Sequence, residues 1–165
     1  SYTASFGAFT STSYSTPQNV KNVLGHAAYL LEGLKDLPNI RPRAVRLEAD
    51  GQVYDGDYLF GAVCNSTSLG GVLKLSPGMV DMNDGLFETL LIRNPENAIE
   101  LQNIITALAS RNYDNPMLNF VRAARLVFRP EPGMPWTLDG EFAEGAAEVV
   151  VENLHSAIEL MGPGE

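Results

Sequence analysis

Two stretches of the chain repeat apolar residues at intervals of three and four, the spacing that places them on one side of an α-helix. In the first stretch, residues 17–37, Thr16 suits an N-cap, Pro17 suits the first helical position and Pro38 ends the pattern. The second stretch covers residues 95–110. Its predicted inner face consists of Ile99, Leu101, Ile104, Ile105 and Leu108. The pattern therefore predicts two helices.

Much of the remaining chain shows the pattern of β-strands. Residues 44–49 alternate between apolar and polar and lead into Asp50-Gly51, a dipeptide that favours a hairpin turn. A second Asp-Gly, at residues 55–56, predicts another break in the chain. Residues 58–64 then form a continuous apolar run, which is typical of a buried central strand. Further strands are predicted within residues 1–15 and at residues 86–93, 125–128, 136–138, 147–151 and 155–161.

The order of these elements indicates the fold class. The helices do not alternate with strands, as a βαβ fold requires. Residues 65–71 are polar and small and predict a loop, and residues 115–124 predict a short helix or turn. We expect a single domain of 165 residues that is mainly β with inserted helices (α+β). Its antiparallel sheets are expected to pack as a sandwich or an open barrel.

Composition and charge narrow the classes of function. Apolar residues make up 45% and charged residues 19% of the chain, which is ordinary globular composition. The net charge of −9 provides no excess of cations to replace phosphate counterions, so nucleic-acid binding is not expected. The single cysteine, Cys64, lies in an apolar run and predicts a buried thiol in a reducing, cytoplasmic compartment. No apolar stretch of the sequence is long enough for a membrane span.

Two short acidic motifs are the candidate chemistry. In the first, Asp81 and Asp84 frame a turn that continues through Gly85 and Leu86. Carboxylate and carbonyl oxygens at such a turn suit a hard cation such as Mg²⁺ or Ca²⁺. In the second, Asp139 and Glu141 flank a glycine, where one carboxylate could take a proton from an attacking hydroxyl. Taken alone, each motif favours a plain hairpin turn over a functional site.

The whole pattern resembles the diacylglycerol kinase and sphingosine kinase-like lipid kinases, and most closely the bacterial soluble diacylglycerol kinases. The resemblance extends in order over nearly the whole chain. It rests on Gly7-Ala8-Phe9, Tyr14-Ser15-Thr16-Pro17, residues 21–33, Asn65-Ser66, Leu75-Ser76-Pro77, the Asp81–Leu86 motif and Leu138-Asp139-Gly140-Glu141. It implies a β-sandwich-like C-terminal domain of a two-domain enzyme, in which ATP is the co-substrate and a lipid hydroxyl accepts its γ-phosphoryl group.

The resemblance also implies roles for the acidic motifs. Asp139 or Glu141 would be the catalytic base, and the sequence leaves open which of them it is. Asp81, Asp84 and Leu86 would hold a structural Mg²⁺, Leu86 through its carbonyl, Asp84 through its side chain and Asp81 through its side chain or its carbonyl. The acceptor would lie in an apolar cleft, for which the candidates are the apolar side of the first predicted helix together with Tyr29, Phe60, Met79 and Met82.

The chain departs from the family in one respect, because it contains no glycine-rich nucleotide-binding motif. We therefore expect ATP to be bound mainly by a separate N-terminal domain and the isolated chain to be inactive. The expected partners are that domain, a diacylglycerol-like lipid, the inner face of the membrane as a peripheral contact and a second copy of the chain. Two other classes stay open: a non-catalytic β-sandwich module that binds a lipid or small ligand, and an interaction domain whose Asp81–Asp84 turn binds Ca²⁺.

Overall fold

The described part of the computed structural model covers residues 3–7, 40–69, 73–155 and 157, and it contains eleven strands and one α-helix. The helix α1 is Ala98–Ser110, and a 3₁₀ turn covers Pro77–Met79. The strands are β1 Thr3–Gly7, β2 Arg43–Ala49, β3 Gln52–Cys64, β4 Ser68–Leu69, β5 Leu73–Lys74, β6 Phe87–Arg93, β7 Leu118–Ala123, β8 Arg125–Pro130, β9 Trp136–Leu138, β10 Glu141–Ala143 and β11 Val149–Glu152. The structure confirms the expected mainly β class.

Nine of these strands form one antiparallel sheet in the order β10-β9-β1-β3-β2-β8-β11, while β6 pairs with both β3 and β7. The long strand β3 connects the sheet, because it pairs with β1, β2 and β6 along its 13 residues. The two short strands β4 and β5 form a separate hairpin. Every pairing in the described residues is antiparallel, as expected.

The sheet has a hydrophobic core on each face. Leu90 and Ile92 of β6 belong to one core cluster, which α1 covers, whereas Leu91 belongs to the other. Successive residues of a strand point to opposite faces, so the two clusters lie on opposite sides of the sheet. The second cluster is built around three aromatic rings in edge-to-face contact, with centroids 5.1 to 6.4 Å apart: Phe6, Phe128 and Trp136.

The second predicted helix is confirmed with corrected limits. It begins at Ala98 because the Asn97 side chain accepts hydrogen bonds from the next backbone N–H groups, those of Ile99 and Glu100. Ile99 is not on the inner face, since 74% of it is exposed. It lies five residues before the buried Ile104, which places it about 140° around the helix.

Two predictions about the chain path were wrong. The Asp-Gly at residues 55–56 does not interrupt β3, because Gly56 pairs with Val45 and the ladder to β2 continues past it. Residues 118–123 are a strand rather than a helix or turn, since they pair with β6 along six positions. The predicted helix at residues 17–37, most of the first segment, and residues 156 and 158–161 of the last predicted strand lie outside the described residues. Strand β10 and the hairpin of β4 and β5 were not predicted.

Candidate active site

Asp139 and Gly140 form the two-residue turn between β9 and β10, because Leu138 pairs directly with Glu141. Their φ angles are +49° and +91°. Both are left-handed, as a type I′ hairpin turn requires, and aspartate followed by glycine is a preferred sequence for it. The hairpin interpretation of this motif is therefore correct, and it puts two acidic residues at the tip of a rigid turn.

Strand β1 holds this hairpin turn in place. The backbone N–H of Asp139 donates to the carbonyl of Thr3, and the N–H of Thr3 donates to Asp139 Oδ1, both at 2.9 Å. Asp139 and Glu141 are exposed. An exposed carboxylate on a fixed backbone is suited to receive a proton from a bound hydroxyl group.

The second motif, the Asp81–Leu86 loop, is held by hydrogen bonds that involve its own side chains. Asp81 Oδ1 accepts from the N–H of Asn83 at 3.0 Å, and Asp84 Oδ1 accepts from the N–H of Leu86 at 2.8 Å. Gly85 has a φ of +77°, the left-handed conformation that glycine favours. The loop is thus two consecutive aspartate turns, in which each carboxylate already has a backbone donor.

An arginine and a buried glutamate complete this loop. Arg122 Nη2 donates to Asp84 Oδ2, and Arg122 Nε lies 3.6 Å from Glu88 Oε1. Glu88 is 0% exposed, and neither of its carboxylate oxygens has a hydrogen-bond partner among the described residues. Burial raises the pKa of Glu88 above its ordinary value, and the neighbouring Asp84 adds to this while Arg122 opposes it.

Sequence reasoning missed Glu88 and Arg122 as parts of this site. The available signal was Glu88 itself, a charged residue between Phe87 and Thr89 in a predicted strand whose other residues are mostly apolar. The pairing partner was not visible in the sequence, because Arg122 lies across the β6–β7 ladder opposite Glu88.

The Asp81–Leu86 loop offers the kind of oxygen donors that Mg²⁺ uses in proteins, one or two carboxylates with the remaining positions left to water. Among the described residues, however, no three His, Cys, Asp or Glu side chains are grouped to hold a metal ion. Each candidate ligand also has a hydrogen-bond donor already, since the Leu86 carbonyl accepts from Asn153 Nδ2 at 3.2 Å and Asp84 accepts from Arg122. The donor chemistry fits a hydrated Mg²⁺, and Arg122 is the group with which the ion would compete.

The sheet brings the two acidic motifs to the same end of the domain. One row of paired residues crosses four strands from Thr3 through Cys64 and Glu88 to Arg122. Thr3 bonds the Asp139 turn at one end of the row, and Arg122 bonds Asp84 at the other. Three strand spacings separate these ends, about 14 Å along the sheet. The motifs are therefore neighbours across a shared surface, too far apart to hold a single ion together.

A pocket of about 470 Å³ lies beside the Asp81–Leu86 loop. Its lining is mixed rather than apolar and includes Thr67, Met79, Asp81, Met82, Asp84 and Arg122. Of the candidates for an apolar cleft, Met79 and Met82 line this pocket, whereas Phe60 is buried in the core under α1 and Tyr29 lies outside the described residues. The prediction for Phe60 was wrong, because its strand is covered on that face by the helix.

Cys64 lies in the middle of the row and is buried, as predicted. Burial raises the pKa of its thiol to about 11, and Sγ lies 3.2 Å from the carbonyl of Ser66. A thiol in this state is not a reactive nucleophile. In the described residues, no helix has the length and apolar character needed to cross a bilayer.

Comparisons with known proteins place this chain in a family. Residues 6–162 match the family model described as the YegS C-terminal NAD kinase beta sandwich-like domain. The chain is 30% identical over 159 residues to a diacylglycerol kinase of Bacillus subtilis (strain 168). It is 34% identical over 162 residues to a diacylglycerol kinase of Staphylococcus carnosus (strain TM300). These alignments cover 96% and 97% of the chain but 52% of each relative, so the chain spans about half the length of the curated relatives it matches.

The fold has a solved counterpart as well. A crystal structure of a diacylglycerol kinase from Bacillus anthracis str. Sterne matches 92% of this chain and 49% of its own, with a TM-score of 0.59. The sequence identity is 18%, so this likeness concerns the fold alone.

Proposed function

This chain belongs to the family of the YegS C-terminal NAD kinase beta sandwich-like domain, and from that premise we propose that it is the acceptor-binding half of a lipid kinase. The reaction is transfer of the γ-phosphoryl group of ATP to the hydroxyl of diacylglycerol or a related lipid. ATP is held mainly by an N-terminal nucleotide-binding domain. The observation that carries the proposal is the Asp139–Glu141 hairpin turn, whose exposed carboxylates stand on a backbone that β1 holds in place.

Within this hairpin turn we assign different roles to the two carboxylates. Asp139 Oδ1 accepts the hydrogen bond from the Thr3 backbone, which favours a role in fixing the turn and orienting its neighbour. Both carboxylates are exposed, but that of Glu141 does not accept the bond that holds the turn, so Glu141 is the better placed of the two to act as general base on the acceptor hydroxyl. Phosphoryl transfer needs positioning and charge neutralisation more than covalent chemistry, so a single well-placed base is a suitable contribution from this half.

The Asp81–Leu86 loop would hold Mg²⁺ through the carboxylates of Asp81 and Asp84 and the carbonyl of Leu86. A bound Mg²⁺ would neutralise negative charge at this end of the sheet and stiffen the loop. The ion is structural in this proposal, because the loop is about 14 Å along the sheet from the Asp139 turn.

The test measures ATP-dependent phosphorylation of diacylglycerol in mixed micelles by the complete gene product that contains this chain. E141Q is expected to lower kcat by roughly 10²–10⁴-fold, the usual contribution of a general base. D139N keeps the oxygen that accepts from Thr3 and is expected to cost less. The 165-residue chain alone is expected to transfer no phosphate.

The matched controls are E144Q and D114N, which remove the same charges from other exposed positions. Both are expected to keep the activity of the unaltered protein. Full activity of E141Q would overturn the assignment of the base, and the D139N result would then decide between the two carboxylates. Saturable binding of diacylglycerol without any phosphorylation would instead identify a non-catalytic lipid-binding module.

Two further expectations concern where and how the protein works. A kinase for diacylglycerol has to reach a bilayer surface, so we propose a cytoplasmic protein in peripheral contact with the inner face of the membrane. A homodimer also remains a prediction, and light scattering at high protein concentration would check it.

A further inference from the structure

Arg122 stands between two carboxylates of different character. One of them, Asp84, belongs to the surface loop and accepts directly from the guanidinium group. The other, Glu88, is completely buried and lies 3.6 Å from Arg122 Nε, just beyond hydrogen-bond distance. Neither Glu88 oxygen has a hydrogen-bond partner among the described residues, so the buried carboxylate can still accept hydrogen bonds.

A second arginine on the same sheet shows what is unusual here. Arg129 also lies between two carboxylates, Glu48 and Glu148, and its side chain is 44% exposed, compared with 40% for Arg122. Both partners of Arg129 are about half exposed, 42% for the Glu48 side chain and 50% for that of Glu148, so water can replace either contact at little cost. Water cannot replace the Arg122 contact of Glu88 in this way, because Glu88 is buried. A buried carboxylate without a hydrogen-bond partner costs free energy.

We infer that Arg122 neutralises the charge of Asp84 when no divalent cation is bound. A divalent cation that binds Asp84 displaces the guanidinium group, which then donates a hydrogen bond to the buried Glu88. A movement of a few tenths of an ångström would bring Arg122 Nε within hydrogen-bond distance of Glu88. The displaced charge thus keeps a partner, and cation binding leaves no buried carboxylate unsatisfied. Arg122 and Glu88 act as positioning residues for the Asp81–Leu86 loop.

The inference rests on the proposed function only in taking Asp84 as a ligand of the cation. It predicts opposite signs for two substitutions. R122Q removes the competing charge and is expected to tighten divalent-cation binding roughly tenfold. E88Q leaves Arg122 with Asp84 as its only charged partner in this cluster and is expected to weaken binding about threefold. A purely structural role for either residue would weaken binding in both variants.

The experiment titrates the complete gene product with Mn²⁺ in the absence of nucleotide and measures the unbound ion by electron paramagnetic resonance. D84N defines the signal that belongs to this loop. R129Q is the matched control for R122Q, because it removes the same charge from a similarly exposed arginine, and it is expected to leave the affinity unchanged. The double variant R122Q/E88Q is expected to bind like R122Q, since Glu88 acts through Arg122.

The outcomes separate the hypotheses. Equal affinities for R122Q and R129Q would overturn the inference even if the cation binds. The absence of any D84N-sensitive binding would overturn both the cation site and the inference, and the assay of lipid phosphorylation would still judge the proposed kinase independently. Thermal unfolding without cation checks that each variant is folded, and if E88Q does not fold, the comparison of R122Q with R129Q decides.

Discussion

The two acidic turns of this domain lie at the same end of one sheet, yet they are held by different means. The Asp139 turn is a two-residue hairpin fixed mainly by the pairing of β9 with β10 and β1, and in addition by the hydrogen bond that Asp139 Oδ1 accepts from Thr3. The Asp81–Leu86 loop is followed by β6 but is not directly preceded by a strand. It is fixed by the side chains of Asp81 and Asp84, and Arg122 links Asp84 to the buried Glu88.

This difference predicts how each turn responds to change. A turn fixed mainly by strand pairing tolerates exchange of Glu141, whose exposed carboxylate is available for chemistry, whereas Asp139 also helps to hold the turn. A loop fixed by charged side chains changes its stability whenever the charge nearby changes. The first arrangement suits a catalytic group, and the second suits a site that senses a cation.

The largest expected effect concerns the glycines that both turns place at positive φ. Gly85→Ala should lower the free energy of unfolding by about 2–3 kcal/mol, because a Cβ is strained there and also approaches the His155 side chain. The added Cβ would lie 3.1 Å from His155 Nδ1, whereas nothing lies within 4 Å of one at Gly140. Gly140→Ala should therefore cost only about 1–2 kcal/mol, measured by urea denaturation.

A double variant isolates the contribution of His155. Adding H155A to Gly85→Ala removes the imidazole ring but keeps the Cβ of residue 155, which lies 3.3 Å from the added methyl group, so it should recover only part of the difference from Gly140→Ala. If the double variant stays as unstable as Gly85→Ala alone, the imidazole ring does not distinguish the two turns.

A smaller effect is expected at Asp139, where an isosteric and a truncating substitution should differ. D139N keeps the oxygen that accepts from Thr3 and a side chain that tolerates a positive φ, so its free energy of unfolding should change by less than about 0.5 kcal/mol. D139A loses both and should cost about 1–2 kcal/mol. Urea denaturation of the two variants checks this, and equal stability would mean that the bond to Thr3 contributes little.

The smallest expected effect is a pH dependence of stability that arises from Glu88, which lies in β6 next to the Asp81–Leu86 loop. The pKa of Glu88 is raised by burial, so the folded chain holds this proton at pH values where the unfolded chain has released it. Stability from this group is therefore highest below the unfolded-state pKa and falls as pH rises through the window up to the raised folded-state pKa. E88Q should remove this decline, as measured by denaturation midpoints across acidic pH, while E48Q on the exposed part of the sheet should keep it.

The apolar pattern was sufficient to predict the mainly β class, the Asp50-Gly51 hairpin, the buried strand at residues 58–64 and the helix ending at Ser110. These features depend on local periodicity and turn chemistry. The strand at residues 118–123 could not be recognised, because its identity comes from pairing with β6 rather than from its own sequence. The Asp-Gly at residues 55–56 was wrongly predicted as a break for a related reason. Its local sequence favours a turn, but pairing with β2 keeps it in a strand.

The candidate site divides in the same way. Both acidic motifs are visible in the sequence as short runs of carboxylates and glycine. Their placement at one end of the sheet follows from the row of pairs through Cys64 and Glu88, which joins residues far apart in the chain. The contact between Arg122 and Glu88 also joins residues that are far apart in the chain, so it could not be predicted from the sequence.

The bond between Thr3 and Asp139 spans 136 positions in the sequence, and this has a consequence for how the domain is made. During synthesis, β1 emerges from the ribosome long before the strand β9 that lies beside it, and it must wait for most of the domain to be translated. Pairings this distant in sequence form slowly, and a waiting strand exposes an edge that can associate with other chains. The acidic hairpin turn is therefore expected to be among the last parts of the nascent protein to take its final shape.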